Sequence, residues 1–164
     1  MASWSEAFAA QASSDMDAFL VLEGSGLPSS HRLHYLQMWL EKLCKAYLWT
    51  QEDGAGELRF RHNVIARVLP SLIAKYGHRI GTGAYRDLTG IRQLCREIDL
   101  LHPQVDDEGR RPENVEYPWM GNSGEAEVPA LWNFSLARRL YSNPGRQLLK
   151  AASVLTRNAS EFIH

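Results

Sequence analysis

His31, Arg32 and His34 stand together at the start of one helical pattern, and Arg59, Arg61, His62 and Arg67 lie near the start of another. If those two ends adjoin, their guanidinium and imidazole groups form one basic patch able to hold phosphate oxygens. The competing reading is that these charges are the solvated faces of amphipathic helices. Gly77-His78-Arg79-Ile80-Gly81-Thr82-Gly83 has the look of a phosphate cradle at a helix start, where backbone N–H groups point outward. It lacks the Gly-Lys-Ser/Thr ending of a P-loop, so an interhelical turn competes with that role. Farther on, Asn114, Glu116, Tyr117, Pro118 and Trp119 lie in a polar stretch, with Trp132 beyond them. Aromatic rings in such a loop either stack on bases or pin the loop to the body of the protein. Pinning is favoured, because a loop of that length without anchors would be disordered.

The elements that must position these groups read as helices. Ser3 to Glu6 has capping-box spacing, and Phe8, Ala12, Met16, Phe19 and Leu20 follow on one face until Gly24 and Gly26 stop the helix. Ser29 or Ser30 is expected to cap the next, which carries Leu33, Leu36, Leu40, Leu43 and Tyr47. A third stripe runs from Val64 to Tyr76, with Pro70 inside it as a kink or boundary and Gly77 as terminator. Leu88, Ile91, Leu94, Cys95, Ile98 and Leu101 define a fourth, ended by Pro103. From Gln104 to Pro129 no period is sustained, which reads as one long irregular loop. A short helix over Pro129 to Tyr141 follows, and Asn143-Pro144 gives an N-cap and first position for a last helix through Leu148, Ala152, Leu155, Ala159 and Phe162. No alternating strand pattern or internal repeat is present. The expected fold is all-α, an antiparallel up-and-down helical bundle, with Leu36, Leu40, Leu43, Val68, Leu72, Leu94, Ile98 and Leu155 in one core.

Composition limits the partners. A chain of 164 residues that is 45% hydrophobic fills one core, so residues 1–164 are expected to form a single domain. Eighteen Lys and Arg against 19 Asp and Glu leave a net charge of -1, so no global basic field holds nucleic acid and any such contact must be local. No run approaches the ~18 apolar residues of a membrane span, and the amino terminus has no signal-peptide pattern. A cytoplasmic protein is expected, with Cys44 and Cys95 as reduced core thiols. Neither a metal nor a cofactor is expected.

The segment from His34 to Leu48, His-Tyr-Leu-Gln-Met-Trp-Leu-Glu-Lys-Leu-Cys-Lys-Ala-Tyr-Leu, resembles the second helix of HEPN domains. There an aromatic, a Gln, then Glu-Lys and Lys-Ala recur. His62-Asn63-Val64-Ile65 is similar to the family's His-Asp-Leu start of a third helix, with Asn63 in place of the acid. Tyr117-Pro118 is similar to the Tyr-Pro before the last helical section, with Glu116 where many members carry Arg. The resemblance implies a helical bundle that commonly dimerises, in a family of RNA-cleaving toxins, nucleotide-binding modules and partners of minimal nucleotidyltransferases. Its ribonucleases carry Arg, four to six residues, then His, a pattern that Arg96 and His102 fit. In that chemistry a neutral histidine takes the 2'-hydroxyl proton while arginine stabilises the phosphoryl oxygens. The spacing recurs at Arg157 and His164, and six positions on a regular helix point about 120° apart. Glu97 beside Arg96 is also a poor companion for a phosphate.

The expectation is therefore a noncatalytic HEPN-like module, homodimeric, that binds a nucleotide, RNA or a nucleotidyltransferase-like protein partner. Arg32, His34, Arg59, Arg61, His62, Tyr117 and Trp119 are its candidate ligand contacts. The alternative is a metal-independent endoribonuclease of toxin or defence type using Arg96 and His102. A helical adaptor without nucleic-acid contact is the third reading.

Overall fold

A computed structural model describes residues 3–49, 61–79, 88–103 and 114–163, of which 67% are helical. The first helix, α1 (Trp4–Leu22), starts on the expected capping box: the Glu6 N–H donates to Ser3 Oγ and the Ser3 N–H to the Glu6 carboxylate. Gly24 and Gly26 then turn the chain with φ of 75° and 76°, the left-handed region that glycine enters without a side-chain clash. In α2 (Ser29–Leu48) the serines differ from expectation. Both lie inside the helix, and Pro28 is the N-cap, without a side-chain cap hydrogen bond. The fixed φ of proline already sets the entry to the first turn. α1 and α2 pack as an antiparallel hairpin. Ser5 Oγ donates to the Ala46 carbonyl near one end, Phe19 packs on Trp39, and Glu23 meets Arg32 at the other end.

Two shorter helices, α3 (Ile65–Tyr76) and α4 (Thr89–Asp99), pair with one another and lie on α2. Pro70 neither ends nor precedes α3 but sits inside it, buried. Its missing N–H leaves one hydrogen bond out of the helical ladder, while its ring adds to the core. Past Asp99 the chain tightens: Leu101 N–H donates to the Ile98 carbonyl and His102 N–H to that of Asp99, before Pro103. These three-residue hydrogen bonds turn His102 away from the direction a continued α-helix would give it.

The stretch expected to be irregular holds a small hairpin, β1 (Trp119–Met120) against β2 (Ala126–Glu127), with Trp119 opposite Glu127. Strands of two residues are too short to carry a period. The expected helix over Pro129 to Tyr141 is two pieces, a 3-10 turn at Pro129–Leu131 and α5 (Ser135–Arg139), separated by extended backbone at Trp132 and Phe134. α6 (Asn143–Arg157) is capped one residue earlier than expected, by Ser142, whose Oγ accepts from the Gly145 N–H; Asn143 is already helical. α7 (Ala159–Phe162) ends the described chain.

The result is an all-α bundle around α2. One core cluster takes residues from each of α1 to α6, including all eight expected core positions. Trp39 Nε1 donates to Thr156 Oγ1 at 2.8 Å, and Tyr47 Oη to the Leu155 carbonyl at 3.0 Å, so these two buried rings of α2 enter the core with their polar atoms paired to α6. Among the described residues no helix is long and apolar enough to cross a membrane.

Candidate functional site

His34, Gln37, Glu41 and Lys45 recur at intervals of three and four residues and so share one face of α2. Because α2 is central, that polar face lies inside the bundle: Gln37, Glu41 and Lys45 are all buried. They pair with one another. Glu41 Oε1 accepts from Lys45 Nζ at 2.7 Å, and its Oε2 accepts from Gln37 Nε2 at 2.7 Å. His62 Nδ1 lies 3.3 Å from the same Oε2, reaching in from the segment before α3. A buried carboxylate with only one of these partners would be strongly destabilising, so the group acts as a unit.

The second imidazole comes from the turn after α4. His102 lies flat on His62, with ring centroids 3.8 Å apart and planes 8° from parallel. Burial, followed by the neighbouring His62, holds the pKa of His102 below its ordinary value, and the Glu116 and Glu41 carboxylates only partly oppose this. A neutral ring is what close parallel stacking on another imidazole requires, since two imidazolium rings would repel. One turn earlier, Asp99 Oδ1 and Oδ2 accept from the backbone N–H groups of Ile65 and Ala66, capping α3 from across the helix pair. Burial pushes this carboxyl up to about 6, against the lowering effect of those two donors and with a further push from Glu41. Burial also raises the thiols of Cys44 and Cys95 well above the usual range, which makes them the inert core cysteines expected.

The returning chain closes the rim. Val115 N–H donates to the Leu101 carbonyl, and Asn114 Oδ1 accepts from the Glu116 and Tyr117 N–H groups. That turn sets Glu116 3.8 Å from His34 Nδ1 and leaves the next residue, Tyr117, 61% exposed. Trp119 and Trp132 meet edge to face at 5.3 Å and pack on the core, which is the pinning role expected of loop aromatics. Two polar atoms of the seam are buried without a hydrogen-bond partner, Gln37 Oε1 and His34 Nδ1.

The structure thus stacks His102 on His62, sets Glu116 near His34, and leaves Tyr117, the residue after Glu116, exposed. Arg32 goes elsewhere, because two residues along a helix are 200° round it: it stacks on Phe19 and pairs with Glu23 and Tyr141. Arg61 is exposed next to His62, and Arg59 lies outside the described residues, as do positions 80–83 of the glycine-containing stretch. Arg79 lies over the Phe162 ring. Arg96 is on the exposed face of α4, whereas His102 faces His62; Glu97 pairs with Arg139 of α5. Sequence reasoning missed Gln37, Glu41, Lys45 and Asp99 as members of the site. Their three- and four-residue spacing was visible, but an acid four residues before a lysine ordinarily marks a solvated pair. Among the described residues no group of three His, Cys, Asp or Glu has the geometry to hold a metal ion.

Comparison with family models, with curated proteins and with solved structures finds no match for this chain.

Proposed function

We propose that this chain is a noncatalytic helical binding module that receives an unpaired nucleobase, of a nucleotide or of single-stranded RNA, against the seam of His34, His62, His102 and Tyr117. The observation that carries this reading is the parallel stack of His62 and His102, both partly exposed, with His62 held by the buried Glu41. A flat, oriented ring pair is a surface on which another π-face can continue the stack, and Tyr117 adds an exposed ring at the rim. Arg61, exposed next to His62, would supply charge for a phosphate. The resemblance to HEPN domains supports the same reading. With it come a homodimer and a nucleotidyltransferase-like protein as a further partner class; a cytoplasmic setting is proposed beside them.

One feature favours a second reading, the metal-independent endoribonuclease. In it, the carboxylate-bonded His62 and His102, whose pKa is lowered by burial, would act as the acid–base pair, with Arg96 as the charge stabiliser of the family pattern. Arg96 lies on the exposed face of α4 while His102 stacks on His62, which weighs against it.

The test titrates fluorescent oligouridylate and labelled adenine nucleotide in EDTA across a range of salt. Binding that weakens linearly in log salt, without cleavage, is expected. His62→Ala should reduce affinity by about 5- to 150-fold, the value of about 1–3 kcal/mol per stacked base. No binding at low salt, or an unchanged affinity in a folded His62→Ala variant, overturns the proposal. Cleavage lost in both Arg96→Ala and His102→Ala establishes the enzyme instead.

A further inference from the structure

His62 comes from the segment before α3 and His102 from the turn after α4, so their stack ties the start of one helix to the end of the other. Asp99 makes a second tie at the same place, through the Ile65 and Ala66 N–H groups. Asp99 works from a buried position, whereas both rings of the stack are partly exposed and can exchange protons with water.

Charge decides which protonation states the stack tolerates. Two neutral rings, or one imidazolium over one neutral π-face, attract at a centroid distance of 3.8 Å. Two like charges about 4 Å apart disfavour the contact by about fivefold under full water screening and by about a thousandfold at the effective dielectric of a protein surface. The surroundings offset one such charge better than two. From α2, Glu41 Oε2 lies 3.3 Å from His62 Nδ1, but that carboxylate also holds Lys45 Nζ at 2.7 Å. Arg61, next to His62, adds positive charge from the segment before α3, and His34 of α2 lies 3.8 Å from Glu116, the acid of the returning turn. Asp99 of α4, its carboxyl pushed up to about 6 by burial, loses its negative charge over the same acid range. Burial and then His62 hold the pKa of His102 below its ordinary value; Glu116 and Glu41 oppose this only in part, and Lys45 adds to it.

The two rings are also held unequally. His62 is bonded to a carboxylate of the central helix. His102 sits on a short turn, where Leu101 and His102 donate to the carbonyls of Ile98 and Asp99 just before Pro103. His102 is therefore the ring free to move away.

We propose that the His62–His102 stack is an acid-released clasp, closed while at most one ring carries a proton and parted when both do. On release, His102 and its turn leave the start of α3, while His62 keeps Glu41. Val115 N–H donates to the Leu101 carbonyl, so the displacement passes to the turn that holds Glu116 and Tyr117. Release needs no bound base and is a property of the unliganded chain.

The test follows the imidazole C–H resonances of the full, unliganded chain by ¹H–¹³C correlation from pH 8 to pH 4.5, with Trp39 fluorescence reporting on the core. Stacked rings shift one another's protons to high field, and the signals are assigned by their loss in His62→Phe and His102→Phe. In wild type the high-field shifts should persist through the first protonation and vanish with the second, beyond the change that protonation itself causes, while Trp39 emission is constant. His102→Phe keeps a ring against His62 that takes no charge, so the His62 signal should stay at high field throughout; His62→Phe is the mirror case for His102. At the pH where wild type is half released, the ratio of released to stacked forms should be at least about fivefold lower in either variant. The proposal is overturned by rings without high-field shifts at pH 8, or by shifts that survive titration of both rings. It is equally overturned if the shifts are lost at the same pH in wild type and in the phenylalanine variants, whether by local release or by unfolding of the whole chain.

Discussion

Removing Lys45 would leave the Glu41 carboxylate buried with an amide and an imidazole but no full positive charge. Lys45→Met should therefore destabilise the protein by about 3–5 kcal/mol, the usual result of breaking a buried pair from one side. Adding Glu41→Gln should recover most of that loss, as urea denaturation of the single and double variants would show; strictly additive losses would mean that the two are not coupled. Asp99 makes a prediction of opposite character. Its carboxyl is raised to about 6 from an ordinary 3.8, so between those values the folded state holds more protons than the unfolded chain and stability falls as pH rises. Its contribution is complete below about 3.8 and is lost through about 6, at no more than about 1.4 kcal/mol per pH unit. His102, with a lowered pKa, acts in the reverse sense, its contribution full above its ordinary 6.5 and lost as pH falls from there through the lowered value. Comparing wild type with Asp99→Asn cancels the histidine: the advantage of wild type should grow from pH 6.5 down to pH 4, and a flat difference would show that Asp99 is not desolvated. Neither Lys45 nor Asp99 was identifiable beforehand as part of a site. Burial is decided by helices distant in sequence, whereas spacing reveals only which side chains share a face.

Helices with long apolar stripes were legible because a 3.6-residue period is a local property, and α1, α2, α4 and the body of α6 lie where the stripes put them. Helix starts were less so. Ser29, Ser30 and Asn143 have the right side chains for caps, yet Pro28 and Ser142 occupy those positions, since capping depends on the backbone angle at one residue. Gly145 illustrates what helix propensity alone would misjudge. It sits in the first turn of α6, where alanine is intrinsically better by about 1 kcal/mol. An added Cβ, however, would collide with the carbonyl oxygens of Arg139 and Leu140, which are backbone and cannot rotate aside. Gly145→Ala should therefore destabilise, by about 1–3 kcal/mol as for other overpacked sites, and lower the thermal midpoint. A midpoint that rises would mean that α5 and α6 can separate at no penalty.

At the scale of the whole molecule, the arrangement around α2 determines how the protein should unfold. Its buried face meets side chains from every other long helix, and one core cluster runs from Ala12 in α1 to Leu155 in α6. The eight core positions were legible in the sequence, but the role of α2 as the central helix was not, because that depends on burial on more than one side. No long helix has an apolar face that it buries without α2 or its immediate neighbours, so partial unfolding would expose core surface on both sides of the break. Unfolding should be a single cooperative transition, with far-ultraviolet ellipticity and tryptophan fluorescence coincident in urea. Trp39 is suited to the comparison, since it is fully buried and its indole N–H is tied to Thr156 of α6, so its emission reports the contact between distant parts of the chain. Leu40 is likewise fully buried on α2, and Leu40→Ala removes an isopropyl group from a site that packed neighbours cannot fill completely. The variant should lose about 2–5 kcal/mol, with both probes shifted equally and the denaturant slope unchanged. If fluorescence moves while ellipticity stays, the helices unfold as separate units and the single core does not act as one.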